Sequence, residues 1–116
     1  MSESVELDVR RERAAKNQSL FREVNERIGE LSGSATLQTF VCECTDESCD
    51  QRLPLTREEY ERIRSDSNSF FVAPGHEIDE IEQVSLVAVG YVVVAKLGRG
   101  GMVADRLDPR KRAPRP

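Results

Sequence analysis

Three cysteines and one histidine carry the most specific chemistry this chain can offer. Cys42, Cys44 and Cys49 are its only thiols and lie within Phe40-Val41-Cys42-Glu43-Cys44-Thr45-Asp46-Glu47-Ser48-Cys49, and the only imidazole is His76, in Pro74-Gly75-His76-Glu77. Three thiolates and one imidazole form the donor set of a closed tetrahedral zinc site, with bonds of about 2.0–2.3 Å and no position left for water. The spacing C-x-C-x4-C-x26-H departs from the double C-x-x-C pattern of many zinc modules. Free core thiols, a redox pair and a Cys–His nucleophile are therefore competing readings of the same residues. Glu43, Asp46, Glu47, Asp50 and Glu77 are alternative carboxylate donors for the fourth position.

The neighbouring sequence contains the elements that must bring these donors together. Residues 36–43 read as a strand whose alternation puts Gln38, Phe40, Cys42 and Cys44 on one face. Thr45-Asp46-Glu47-Ser48 then reads as the turn that returns Cys49. Phe70-Phe71-Val72-Ala73 is a second short strand, and Pro74-Gly75 is a turn presenting His76 at its end. Between them, Thr56-Arg57-Glu58-Glu59 has the form of a capping box flanked by Leu55 and Tyr60, which predicts a helix from Arg57 to about Arg64 ending at Ser65-Asp66-Ser67-Asn68. Val84–Val89 and Tyr91–Leu97 are β-branched runs meeting near Gly90, the pattern of a hairpin.

A long helix over residues 5–31 precedes this region, with Leu7, Ala14, Phe21 and Ile28 on one seam and Arg10, Asn17, Val24 and Leu31 on the other. Phe21, Val24, Ile28 and Leu31 are its strongest apolar stripe and the candidate surface for a protein partner or for a homodimer. Ser32-Gly33-Ser34 marks a hinge. Gly98, Gly100 and Gly101 read as breakers, and the basic segment through Pro116 as a tail with nothing to bury. The expected architecture is α+β: an N-terminal amphipathic helix (1–31), a small antiparallel sheet with one inserted helix stapled by the metal (32–97), and a disordered basic tail (98–116).

Composition narrows the function classes. The 116 residues are one-third charged, with four Phe, two Tyr and no Trp, so a small core needs a staple. The net charges of residues 1–31, 32–97 and 98–116 are −1, −7 and +4. The acidic centre argues against a phosphate-binding body, and only the tail, through Arg106, Arg110, Lys111, Arg112 and Arg115, offers a nucleic-acid contact. No apolar run is long enough to span a membrane and Met1-Ser2-Glu3 opens no signal segment, which predicts a cytoplasmic protein with reduced thiols.

The ordered combination of Leu20-Phe21-Arg22-Glu23-Val24-Asn25-Glu26-Arg27-Ile28, Phe40-Val41-Cys42-Glu43-Cys44 with Cys49, Leu55-Thr56 with Glu59-Tyr60-Glu61 and Arg64, and Phe71-Val72 with Pro74-Gly75-His76-Glu77 resembles a family of small uncharacterised bacterial proteins. The resemblance spans roughly residues 12–97 and implies that the helix and the cysteine region form one unit, without implying a mechanism. A catalytic zinc would need an open position and a base such as Glu77; three cysteines and a histidine fill the shell, and no phosphate loop or nucleophile elbow is present. The expectation is a non-enzymatic zinc-binding regulatory or adaptor protein. A zinc–thiolate redox sensor is the alternative, and a nucleic-acid contact through the tail is the weakest reading.

Overall fold

The computed structural model describes residues 3–31, 37–46 and 48–111. The hinge at Ser32-Gly33-Ser34, Glu47, and Arg112 and Arg115 of the tail lie outside the described residues. Helix α1 (Glu3–Leu31) is followed by strands β1 (Leu37–Val41) and β2 (Arg52–Thr56), helix α2 (Arg57–Arg64), strands β3 (Ser69–Val72), β4 (Glu82–Ala88) and β5 (Tyr91–Lys96), helix α3 (Arg99–Arg106) and a 3-10 turn (Pro109–Lys111). This is the expected α+β class, a long N-terminal helix followed by antiparallel strands. Among the described residues no helix is long and apolar enough to cross a membrane.

Strands β1 and β2 pair antiparallel, with Phe40 opposite Leu53, and β3, β5 and β4 form a second antiparallel sheet in that order. The Glu43 N–H donates to the Phe71 carbonyl at 3.0 Å and links the chain beyond β1 to β3. Strand β2 is absent from the sequence reading because Pro54 interrupts it. Proline is tolerated where a strand has a free edge, and β2 has only β1 as a neighbour. Its Leu53 and Leu55 are buried and alternate with exposed residues, as one-sided strand burial requires.

The capping box at α2 forms as expected. The Glu59 N–H donates to Thr56 Oγ1 at 3.1 Å, and the Thr56 N–H donates to Glu59 Oε1 at 2.8 Å. It seats Tyr60 against Phe40, with ring centroids 4.3 Å apart and the planes nearly parallel, while Phe71 meets both rings edge-on at 6.0 Å. These aromatics and the β5 valines make the centre of the core.

Helix α1 packs by a face that differs from the expected seam. Ala14, Ala15, Gln18, Ser19, Arg22 and Asn25 are buried, whereas Val24 is 47% exposed and Leu31 78% exposed. Ile28 reaches the core edge and Phe21 is half-buried. Gln18, Arg22 and Asn25 take the inner face because they meet backbone carbonyls of neighbouring segments. Arg22, fully buried, donates to the carbonyls of Ser67 at 2.6 Å and Ala104 at 2.7 Å, and its guanidinium lies 4.6 Å from the centre of the Phe70 ring. Buried polar groups are tolerated when paired in this way.

The expected tail beyond residue 97 is replaced, as far as Lys111, by α3 and the 3-10 turn. The glycines permit this segment to approach α1 closely. A Cβ on Gly100 would stand 3.1 Å from the Arg11 carbonyl oxygen, and Gly98 has a φ of +53°. Gly100→Ala gains about 1 kcal/mol of helix propensity but incurs an overpacking cost of about 1–3 kcal/mol against backbone that cannot swing aside. We expect a net loss of about 1 kcal/mol, read as a lower urea midpoint with unchanged slope; a higher midpoint would refute the close approach.

Candidate metal centre

Each of the four donors is delivered by a local device that the surrounding sequence explains. The Cys42 N–H donates to the Gln51 carbonyl at 3.1 Å and extends the β1–β2 ladder past Val41. The chain then crosses to β3 through Glu43. Asp46 Oδ1 accepts from the Ser48 N–H at 2.9 Å and the Ser48 hydroxyl at 2.7 Å, and the Cys49 N–H donates to the Asp46 carbonyl at 3.0 Å. This is an aspartate-closed turn of the kind that short polar residues favour, and it folds Cys49 back. On the other sheet, the His76 N–H donates to the Ala73 carbonyl at 2.9 Å across Pro74-Gly75, where Gly75 has a φ of +90° that side chains rarely accept.

The ligand atoms of Cys42, Cys44, Cys49 and His76 all lie within 4.8 Å of one another, so this cluster can hold a metal ion. Cys42 Sγ and Cys49 Sγ each stand 3.6 Å from His76 Nδ1. Bonds of about 2.3 Å to sulfur and 2.0–2.1 Å to nitrogen at tetrahedral angles give an S···N edge of about 3.6 Å. The two measured edges therefore match the metal-bound geometry. Cys42 and Cys44 are buried, and Cys49 and His76 are half-buried.

Three of the carboxylates considered for the fourth position, Glu43, Asp46 and Glu77, have other engagements. Glu43 points into the core, where its Oε2 accepts from Asn25 Nδ2 at 2.8 Å and its Oε1 from the Phe71 N–H at 3.3 Å. Asp46 closes its own turn, and Glu77 Oε1 accepts from the Gly75 N–H at 2.9 Å. Asp50 is exposed. His76 is the fourth member that the geometry brings to the thiols.

No family model, curated protein or solved structure matches this chain.

Electrostatics define what the cluster needs. Burial pushes the Cys42 thiol well above its ordinary range, with neighbouring thiols adding to the rise, while the Ala73 N–H, 3.1 Å from Cys42 Sγ, opposes it. Burial raises Cys44 as well. These are thiols in the absence of a cation. A divalent ion reverses that preference and is bound with release of protons. Glu43, enclosed on every side, is pushed up to about 7 by burial, against the pull of Asn25, Arg22 and the Phe71 amide.

Of the apolar residues assigned to partner binding, Val24 and Leu31 are exposed, Phe21 is half-buried and Ile28 packs against the core. Val5, Val9 and Leu20 are exposed along the helix as well. Sequence reasoning missed Gln18 and Asn25, which contact the residues flanking the ligands. A signal was present in the spacing of Gln18, Arg22 and Asn25, which places three polar residues on one side of a helix.

Proposed function

We propose that this protein is a zinc-stapled regulatory or adaptor module that acts through protein contacts rather than catalysis. The observation that carries the reading is the convergence of three thiols and one imidazole within 4.8 Å of one another, with two S···N distances of 3.6 Å. Soft thiolates with an imidazole suit zinc, whereas calcium and magnesium favour oxygen donors. An ion held there ties the β1–β2 hairpin, which supplies the cysteines around its loop, to the turn after β3, which supplies His76. Its binding free energy then becomes folding free energy for a chain with few aromatics.

Four protein ligands close the coordination shell, which supports a structural rather than a catalytic ion. The side chain of Glu77, the one residue considered as a base, is engaged with Gly75. The exposed apolar residues Val5, Val9, Leu20, Val24 and Leu31 of α1 support contact with a protein partner or a second copy. A reducing cytoplasm is the proposed setting, since three thiol ligands stay available there. Of the basic residues in the nucleic-acid reading, Arg110 is paired with Glu26 and Glu61. A redox-sensing reading keeps one specific support: Cys49 is the most accessible of the three thiols, and its oxidation by hydrogen peroxide to a sulfenic acid, with the peroxide reduced to water, would remove a ligand.

Cobalt substitution tests the closed shell. Co(II) in the site is expected to give the intense visible bands of a tetrahedral ion with thiolate charge transfer, unchanged on adding azide or free imidazole. Bands that shift with the added ligand would reveal an open position and contradict the non-catalytic reading.

A further inference from the structure

Two ligands of the cluster flank a residue that faces the opposite way. In Cys42-Glu43-Cys44, just beyond the end of β1, the two thiols and the side chain between them part company. The two thiols enter the cluster, and the Glu43 side chain, with none of its surface exposed, enters the interface with α1. There its carboxylate accepts from Asn25 Nδ2 at 2.8 Å, and its backbone carbonyl accepts from Gln18 Nε2 at 2.8 Å. Asn25 also closes a reciprocal pair with Val41, accepting from its N–H at 2.8 Å and donating to its carbonyl at 2.9 Å. Gln18 and Asn25 are fully buried, as is Glu43. Two side chains of α1 thus join the backbone bonds to Gln51 and Phe71 in holding the chain that enters the ligand segment.

We propose that α1 and the metal centre are coupled through Glu43 and Val41: Asn25 and Gln18 are positioning residues that hold the Cys42–Cys44 segment in ligating geometry, and the bound ion in turn holds the middle of α1 against the strands. This rests on the reading of Cys42, Cys44, Cys49 and His76 as a zinc site and extends it to regulation. Coupling between two sites is reciprocal. A partner that draws α1 away through its exposed side loosens the ion, and loss of the ion loosens α1 by the same factor.

The test is the rate at which the zinc-loaded, full-length protein yields its ion to excess colorimetric chelator. Bonds that orient ligands from outside the coordination shell alter metal affinity about 10–100-fold. Asn25→Ala is accordingly expected to release zinc at least about 10-fold faster than the unmodified protein. Ile63→Val, which loosens the same core from α2 without removing a bond to residues 41–44, is expected to stay close to the unmodified rate. Should Asn25→Ala not fold, Gln18→Ala, which withdraws the bond to the Glu43 carbonyl, is expected to fall in the same order relative to Ile63→Val. Equal acceleration in the α1 variant and Ile63→Val, or none in the α1 variant, overturns the coupling while leaving the zinc site standing. Unmodified protein that loads no zinc overturns the metal reading itself.

Discussion

Cys44→Ser is expected to bind no zinc and to melt about 15 °C below the zinc-loaded protein, at a temperature that a chelator no longer changes. The magnitude follows from linkage. Free zinc at a thousandfold excess over its dissociation constant contributes about 4 kcal/mol, and each kcal/mol moves the midpoint of a domain this size by about 4 °C. Serine preserves the shape of the side chain, so the variant mainly removes the thiolate. Outside the cluster, the Cys44 thiol has a long contact, 3.9 Å, to the Asp46 carbonyl. Treating the unmodified protein with chelator should bring its melting point to that of the variant. Calorimetry checks both. A variant that still responds to chelator, or an unmodified protein that does not, would dissociate Cys44 from the metal.

The second large effect lies at the opposite end of the chain. Asp108→Ala is expected to cost about 3 kcal/mol, the low end for breaking a buried ion pair, because Arg64 loses its two-pronged partner but keeps its contact with Glu26. The Arg64 side chain has no exposed surface and meets Asp108 in a two-pronged pair, NH2 to Oδ1 at 2.6 Å and NH1 to Oδ2 at 3.2 Å. Its Nε also donates to Glu26 at 3.2 Å, and Glu26 accepts from the Tyr60 hydroxyl at 2.5 Å and from Arg110. This network fastens the segment after α3 to α1 and α2.

Acid should weaken the same network. Burial pushes Glu26 upward, but hydrogen bonds from Arg110 and Tyr60 and the charge of Arg64 outweigh it and bring Glu26 from an ordinary 4.5 to about 2. Asp108 is also held below its ordinary 3.8, as Arg64 and the Arg110 N–H overcome the effect of burial. A carboxylate depressed in the folded state binds fewer protons there than in the unfolded chain. Its stabilisation is complete above the unfolded value and fades as pH falls toward the folded one. For Glu26 the window runs from about 4.5 down to about 2. The stability gap between the unmodified protein and Asp108→Ala should accordingly narrow below pH 3.8, where Asp108 begins to gain its proton in the unfolded chain. Urea titrations across that range measure it, and a gap independent of pH would show that charge is not what Asp108 contributes.

What could be read from the sequence was what is decided over short distances. The Thr56–Glu59 capping box, the turn returning Cys49 and the Gly90 hairpin are set by neighbours along the chain, and the structure contains them. The Cys42, Cys44, Cys49 and His76 cluster was legible because thiols and imidazoles are rare enough here for four of them to define one site.

Where distant partners decide, the pattern misled. Gly100 resembles a helix breaker until the Arg11 backbone is placed against it. Gln18, Arg22 and Asn25 resemble a solvated face until the carbonyls of Glu43, Ser67 and Val41 come opposite them. The separation of charge between an acidic centre and a basic end also acquires a structural explanation. Arg110 of the basic segment pairs with Glu61 of α2 and with Glu26 of α1.

Native mass spectrometry of the full chain, purified without added metal, tests the central claim most directly because one spectrum reports bound zinc and subunit number together. The account predicts one zinc for each 13.1 kDa chain, with no thiol open to alkylation until the ion is chelated. A metal-free chain whose three cysteines all react with the alkylating agent would contradict it.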